Sequence, residues 1–319
     1  MAFEAFEDLY DAVMEHYGRQ EFASAYELLT AEGPRFPEDA TMALYLRSCL
    51  AARLGERGQA IAILREALDR GFWFSEAVMR QSPSWQPLQG EPAFEELAAV
   101  AITRAEAARA DPLVLPLVPL PGLLPGQRYP LVFALHGNGD NAAHTLRGWG
   151  ALAQQGWLLA ALQSSQPVSS SQFVWDDQER ALADIASRYE RFAAEFPVDQ
   201  SRVILAGFSM GGETALRACL AGTIPARGFL LLGPGGPTID EPQDWLPLIE
   251  AARGRGLRGY ILMGETDATI PHDAIRELAA LLNREGIPCE LEEIPGLRHD
   301  YPADAGPYLR RALAFIGGR

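Results

Sequence analysis

Gly207-Phe208-Ser209-Met210-Gly211-Gly212 sets a single serine among glycines, directly after the apolar run Val203-Ile204-Leu205-Ala206 and directly before a stretch with helical spacing. The pattern G-x-S-x-G is common by chance, but at a strand-to-helix turn it raises the serine hydroxyl above the sheet edge as a nucleophile. The small neighbours permit strained dihedrals and close backbone approach, and the helix N-terminus beneath favours negative charge developing there. The competing reading, two glycines that merely close a tight turn, has to be weighed against what the rest of the chain supplies.

A serine hydroxyl is a poor nucleophile near neutrality and needs a base, which in turn needs an orienting acid. Both follow Ser209. The apolar run Tyr260–Met263 leads into Gly264-Glu265-Thr266-Asp267, and Ile270-Pro271 opens a new helix, so Asp267 stands in a loop at a strand's carboxyl end. Asp267 is the candidate acid, Glu265 its nearest substitute, and a plain capping aspartate the competing reading. The last strand, Cys289–Ile294, ends at Pro295-Gly296-Leu297-Arg298-His299, before the final helix. Of the five histidines only His299 has this placement: His16 lies in a helical region, His272 starts a helix, and His136 and His144 precede the serine. The remaining need is a pair of backbone N–H donors for the charge that forms on a carbonyl oxygen under attack. One is the amide of Met210; the other is that of Asn138, or of Gly137, in Leu135-His136-Gly137-Asn138-Gly139-Asp140, where glycines let the backbone bend. His136 is expected to support this loop through its ring, having no convincing partners as a metal ligand.

These residues must be carried by elements. From Pro130 onward short apolar strands alternate with longer amphipathic segments. The strands read as 131–135, 157–162, 203–208, 228–232, 260–263 and 289–294, and the helices as 142–154, 177–195, 211–221, 243–253, 272–285 and 304–316. Such alternation implies an α/β domain, a mostly parallel sheet flanked by helices with its site at the carboxyl ends of the strands.

Before residue 110 the pattern is purely helical. Apolar residues recur at Phe6, Leu9, Tyr10, Val13, Met14 and Tyr17, then at Phe22, Ala25, Tyr26 and Leu29; further helices run near 40–54 and 59–70. Aligning Ala25 with Ala60 sets two helix-turn-helix units 35 residues apart, similar to a degenerate tetratricopeptide array of period about 34. A generic helical domain is the competing reading. Prolines and glycines thicken between Asp111 and Pro130, so the division expected is a helical domain over 1–110 and an α/β domain over 111–319.

At 319 residues, two domains are the natural expectation. The 27 basic residues are all arginine against 42 acids, a net charge of −15. Chemistry that needs a lysine amine is therefore excluded, and the acidic surface disfavours nucleic acid and anionic membranes. Three widely spaced cysteines, Cys49, Cys219 and Cys289, argue against a disulfide framework or a zinc site. The first ten residues lack a basic leader and no stretch approaches the ~18 apolar residues of a membrane span, so a reducing cytoplasm is the expected location.

With these pieces assembled, residues 112–319 resemble the α/β-hydrolase superfamily, and within it the carboxylesterase, acyl-thioesterase and dienelactone-hydrolase-like branch. The resemblance implies a triad of Ser209, Asp267 and His299, oxyanion amides at Asn138 and Met210, and an activity without metal or cofactor. That branch often carries an aromatic plus aspartate before the nucleophile, and Phe173-Val174-Trp175-Asp176 looks similar; Trp175 is thereby a candidate pocket wall, a core tryptophan being the competing reading. Asn138 stands where the carboxylesterases often have an apolar residue, which bears on substrate subclass. The expected activity is a serine carboxylesterase acting on a small-molecule ester. The rivals are an acyl-thioesterase or peptidase with the same triad, and a helical-repeat partner-binding protein with a scaffold hydrolase domain. The helical domain is the expected surface for a homodimer, for a protein partner, or for capping the pocket.

Overall fold

The computed structural model describes residues 3–318. The chain forms two units, one of residues up to Ala110 together with Pro167–Gln172, the other of Asp111–Gln166 with Phe173 onward.

The first unit consists of α1 (Phe6–Gly18), α2 (Phe22–Glu32), α3 (Ala40–Arg53), α4 (Arg57–Asp69), α5 (Glu76–Gln81) and α6 (Pro92–Ala110). α1 packs on α2, α2 on α3 and α3 on α4, and both α4 and α5 pack on α6. The spacing of 35 residues reappears in the backbone. Gln20 and Gly55 both have positive φ, 61° and 82°. Around them the amides of Arg19, Gln20 and Glu21 bond back to Glu15, Tyr17 and His16, as those of Leu54, Gly55 and Glu56 do to Leu50, Ala52 and Ala51. Ala25 and Ala60, the aligned pair, are both fully buried. The core centres on Trp85, whose indole donates to Ser48 Oγ at 3.0 Å and whose ring meets Tyr45, Phe74 and Phe94 edge-on. Residues 167–172 join this unit through the Ser75 N–H, which donates to the Val168 carbonyl at 2.8 Å.

The second unit runs β1 (Val114–Leu117), β2 (Tyr129–Leu135), α7 (Ala142–Gly148), β3 (Leu158–Leu162), α8 (Gln178–Glu195), β4 (Val198–Phe208), α9 (Met210–Ala221), β5 (Ala226–Leu232), α10 (Leu246–Ala252), β6 (Arg258–Gly264), α11 (His272–Arg284), β7 (Cys289–Ile294) and α12 (Gly306–Ile316). The strands form one sheet in the order β1-β3-β2-β4-β5-β6-β7, parallel throughout except for β1. Its inner strands β2 and β3 are buried along their whole length and show no polar alternation because both faces are covered, whereas β7 at the edge, Cys289–Ile294, carries three glutamates. On β2, Leu131, Phe133 and Leu135 enter the core on one face, and Val132 and Ala134 the core on the other.

Three departures from the expected elements have local causes. β1 lies in the proline-rich stretch; as an edge strand it tolerates Pro116, which has no N–H to offer a neighbour. β4 begins five residues before the expected Val203, because its polar start, 199–202, carries no apolar pattern. The helix expected over 142–154 stops at Gly148 and continues as a 3-10 turn over Gly150–Gln155. A Cβ at Gly148 would lie 2.3 Å from the ring of Tyr301, so the chain can pass there only without a side chain.

With the sheet parallel, the carboxyl ends of β2, β4, β6 and β7 release the segments 136–140, 209–212, 265–270 and 295–299 at the same edge.

Candidate active site

Ser209 occupies the turn between β4 and α9 with φ 52° and ψ −125°, a conformation that a residue with a Cβ adopts only under strain. The flanking glycines explain how the turn is held. A Cβ at Gly207 would stand 2.1 Å from the Gly211 carbonyl oxygen, and one at Gly211 would stand 2.2 Å from that of His136. Neither obstacle is a side chain that can swing away. Gly207→Ala and Gly211→Ala are each expected to cost about 3 kcal/mol or more in urea unfolding. Gly58→Ala, on α4 with open space around it, is the matched control and should be neutral or slightly stabilising.

The turn from β7 brings His299 over the serine, with Nε2 2.9 Å from Ser209 Oγ. Its Nδ1 lies 2.7 Å from Asp267 Oδ2. A carboxylate only accepts, so Nδ1 carries the proton and Nε2 is left free to accept from the serine hydroxyl. Asp267 is almost fully buried, and its other oxygen, Oδ1, accepts the N–H groups of Thr269 at 2.8 Å and Ile270 at 3.2 Å. Glu265, the nearest substitute for the acid, is engaged elsewhere: it accepts the Gly296 N–H at 2.9 Å and so ties the two loops together.

The loop after β2, residues 136–140, is held from behind. Burial pushes the His136 pKa down to about 4, so the ring is neutral near pH 7. Its Nδ1–H donates to the Gly137 carbonyl at 2.7 Å, and its Nε2 accepts the Ser164 N–H at 3.2 Å. In a planar trans peptide the carbonyl and the next N–H point in opposite directions. Pinning the Gly137 carbonyl to the His136 ring therefore aims the Asn138 N–H away from that ring. This peptide sits beside Ser209, since a Cβ at Gly137 would be 3.6 Å from Ser209 Cβ.

Because the His136 pKa is depressed, only the unfolded chain takes up its proton between about pH 6.5 and 4. The stabilisation is complete above 6.5 and falls by about 1.4 kcal/mol per pH unit below it. Protonation would also turn Nε2 into a donor facing the Ser164 N–H. Urea unfolding at pH 7 and pH 5 should show His136→Asn losing about 2 kcal/mol less than the wild type over that interval; an equal loss would contradict this account.

Trp175 is not a pocket wall. It is fully buried in the core, where its indole N–H donates to the His136 carbonyl at 2.9 Å and its ring lies 4.8 Å from the His136 imidazole. With no exposed surface it cannot touch a group held at Ser209; it braces the loop instead. Two other residues were not singled out from the sequence. The Phe208 ring lies 4.7 Å from that of His299 and 4.8 Å from that of Tyr301, and crowds position 137, where a Cβ would be 3.0 Å from it. His272 Nε2 donates to the Asp267 carbonyl at 3.0 Å and anchors the acid's loop.

Among the described residues no group of His, Cys, Asp and Glu is arranged to hold a metal, and no helix is long and apolar enough to cross a membrane. The cysteines are free and buried; burial raises the thiol pKa to about 11 at Cys49 and about 12 at Cys219, which removes them as nucleophiles near neutrality. A cavity of about 810 Å³ on the outer side of α7 and α12 is lined by Arg147, Trp157, Arg202, Asp304 and Arg310, without Ser209, so volume alone does not locate the site.

The second unit is an α/β-hydrolase fold. Residues 5–109 match the family described as "A/B hydrolase-like, N-terminal domain". An uncharacterized protein from Bacillus cereus ATCC 10987 is similar along the whole chain, with 24% identity, a TM-score of 0.55, and 98% of this chain and 99% of that one covered. Esterase PE8 is 18% identical with a TM-score of 0.50, covering 63% of this chain and 99% of its own. Est1E from Butyrivibrio proteoclasticus, with ferulic acid bound, is 14% identical with a TM-score of 0.51, covering 65% and 94%. No curated protein matches the sequence. These likenesses give the second unit the fold of α/β-hydrolases, and the helical segment before it matches a domain model described for such proteins.

Proposed function

We propose that this chain is a serine carboxylesterase, a hydrolase that cleaves carboxylic esters through an acyl-enzyme, with Ser209 as nucleophile, His299 as base and then acid, and Asp267 as the orienting carboxylate. The observation that carries the proposal is the continuous chain Ser209 Oγ to His299 Nε2 at 2.9 Å and His299 Nδ1 to Asp267 Oδ2 at 2.7 Å, set on a strained turn.

His299 Nε2 takes the hydroxyl proton as Oγ bonds to the acyl carbon, and the carbonyl π pair moves onto oxygen. The amides of Asn138 and Met210 meet that oxyanion. The oxyanion collapses, the ester C–O bond breaks, and the proton on Nε2 goes to the departing alkoxide. Water then repeats the sequence on the acyl-serine: His299 accepts its proton, and returns it to Oγ as the carboxylic acid leaves. Asp267 keeps Nδ1–H in place through both halves and stabilises the imidazolium formed in each.

The name of esterase PE8, which shares the fold, favours an ester over an amide or thioester. A panel of short p-nitrophenyl esters, acyl-thioesters and aminoacyl amides at one enzyme concentration tests the choice; turnover of the thioesters or amides alone would replace it. A fluorophosphonate probe tests the class, since a partner-binding protein with a scaffold hydrolase domain would not be labelled at Ser209.

A further inference from the structure

A carbonyl carbon bonded to Ser209 Oγ has three other substituents, and the surroundings of the hydroxyl assign them. On the reading above, the oxyanion turns toward the amides of Asn138 and Met210, and the leaving oxygen must reach His299 Nε2, which protonates it. The acyl chain is left with the remaining flank, where the chain leaves β5 as Gly233-Pro234-Gly235-Gly236.

That flank is closed at short range. A Cβ built on Gly235 would lie 3.9 Å from Ser209 Oγ and 2.2 Å from Ile270 Cδ1. Position 235 has no side chain because the terminal methyl of Ile270 already fills the space. The two distances put that methyl within about 6 Å of Oγ, and apolar carbons touch at about 4 Å. Along this line there is room for the carbonyl carbon and about one more before the chain meets Ile270.

Both walls stand on anchored backbone. Ile270 is buried, its N–H is committed to Asp267 Oδ1, and Pro271 follows it at the start of α11. On the other side, the Gly233 N–H donates to the Leu262 carbonyl at 2.8 Å and the Gly235 N–H to the Ser209 carbonyl at 3.0 Å. Farther along, the buried carboxylate of Glu213 accepts the N–H groups of Thr238 at 3.1 Å and Ile239 at 3.2 Å. Gly236 leaves room for that carboxylate, a Cβ there standing 2.2 Å from Glu213 Oε2. The same carboxylate that fixes this loop lies on α9, the helix that starts at the nucleophile.

We propose that Gly235 and Ile270 together set the acyl size, and that the substrates are esters of short acyl groups, of about two or three carbons. The proposal rests on Ser209 being the nucleophile of an ester hydrolase, and it is tested with p-nitrophenyl esters from acetate to octanoate, the leaving group held constant. In the wild type kcat/KM should fall tenfold or more between propionate and hexanoate. Ile270→Ala should raise the hexanoate-to-acetate ratio of kcat/KM tenfold or more, and Ile270→Leu should move it less. Gly235→Ala should act in the opposite sense, lowering the propionate-to-acetate ratio, and Ile270→Val in the same chain should restore it. Fluorophosphonate labelling of each variant shows whether the site is assembled. Labelled Ile270→Ala and Gly235→Ala enzymes with unchanged acyl ratios would overturn the proposal, as would ratios that shift across a series of alkyl acetates but not across the acyl series. A wild type that neither labels nor turns over acetate fails earlier, at the nucleophile itself, and takes the subsite with it.

Discussion

Ser209→Ala should lower kcat on a short p-nitrophenyl ester by roughly 10³-fold or more, toward about 10⁶, with KM changed little. The size follows from what is removed: without Oγ no acyl-enzyme forms, and only the oxyanion amides and substrate binding remain to assist water. Labelling by a fluorophosphonate should vanish with it. Ser209→Gly separates chemistry from stability. It is equally inactive, yet glycine accepts φ 52° without the strain that serine bears there. Once glycine's larger unfolded-state entropy is offset, the variant should be more stable than the wild type by about 1 kcal/mol in urea. Wild-type-like activity in Ser209→Ala would remove the nucleophile from the proposed mechanism.

What could be read along the chain, and what could not, divides by the range of the interaction. Ser209, Asp267 and His299 each follow the carboxyl end of a strand within five residues, so a local pattern marks all three, and a parallel sheet places strand ends at one edge. The structure brings these side chains within hydrogen-bond distance. The neighbours that orient them leave no such mark. Phe208 stands at a free position of its motif, and its packing between His299 and Tyr301 depends on a loop 90 residues later. His272 reads as an ordinary helix start until its ring is seen to reach the Asp267 carbonyl. Trp175 followed by an acid reads equally well as a pocket wall or a core residue. The His136 carbonyl that satisfies its indole decides the matter, and that carbonyl comes from the loop after β2, 39 residues earlier. β1 and the break at Gly148 have the same character, because an edge position excuses Pro116 and a distant tyrosine ring demands the glycine.

Asp267→Asn should lower kcat/KM by roughly 10⁴-fold while leaving the fold intact, and the arrangement of donors around the carboxylate dictates why. An asparagine side chain has one oxygen and one NH₂ to place where Asp267 has two acceptors. The Oδ1 position faces two backbone donors, the N–H groups of Thr269 and Ile270, and must hold the oxygen. The NH₂ is thereby forced into the Oδ2 position, 2.7 Å from His299 Nδ1. A donor there requires Nδ1 to accept, which moves the imidazole proton to Nε2. In that tautomer Nε2 points a hydrogen at Ser209 Oγ and cannot take the hydroxyl proton. The variant should therefore keep the wild-type urea midpoint within about 1 kcal/mol while losing its turnover. Asp267→Ala lacks the misplaced donor. Its imidazole can still sample the productive tautomer, so it should retain more activity than Asp267→Asn if it stays folded. An Asp267→Asn enzyme within tenfold of wild type would mean that the carboxylate does not govern which imidazole nitrogen carries the proton.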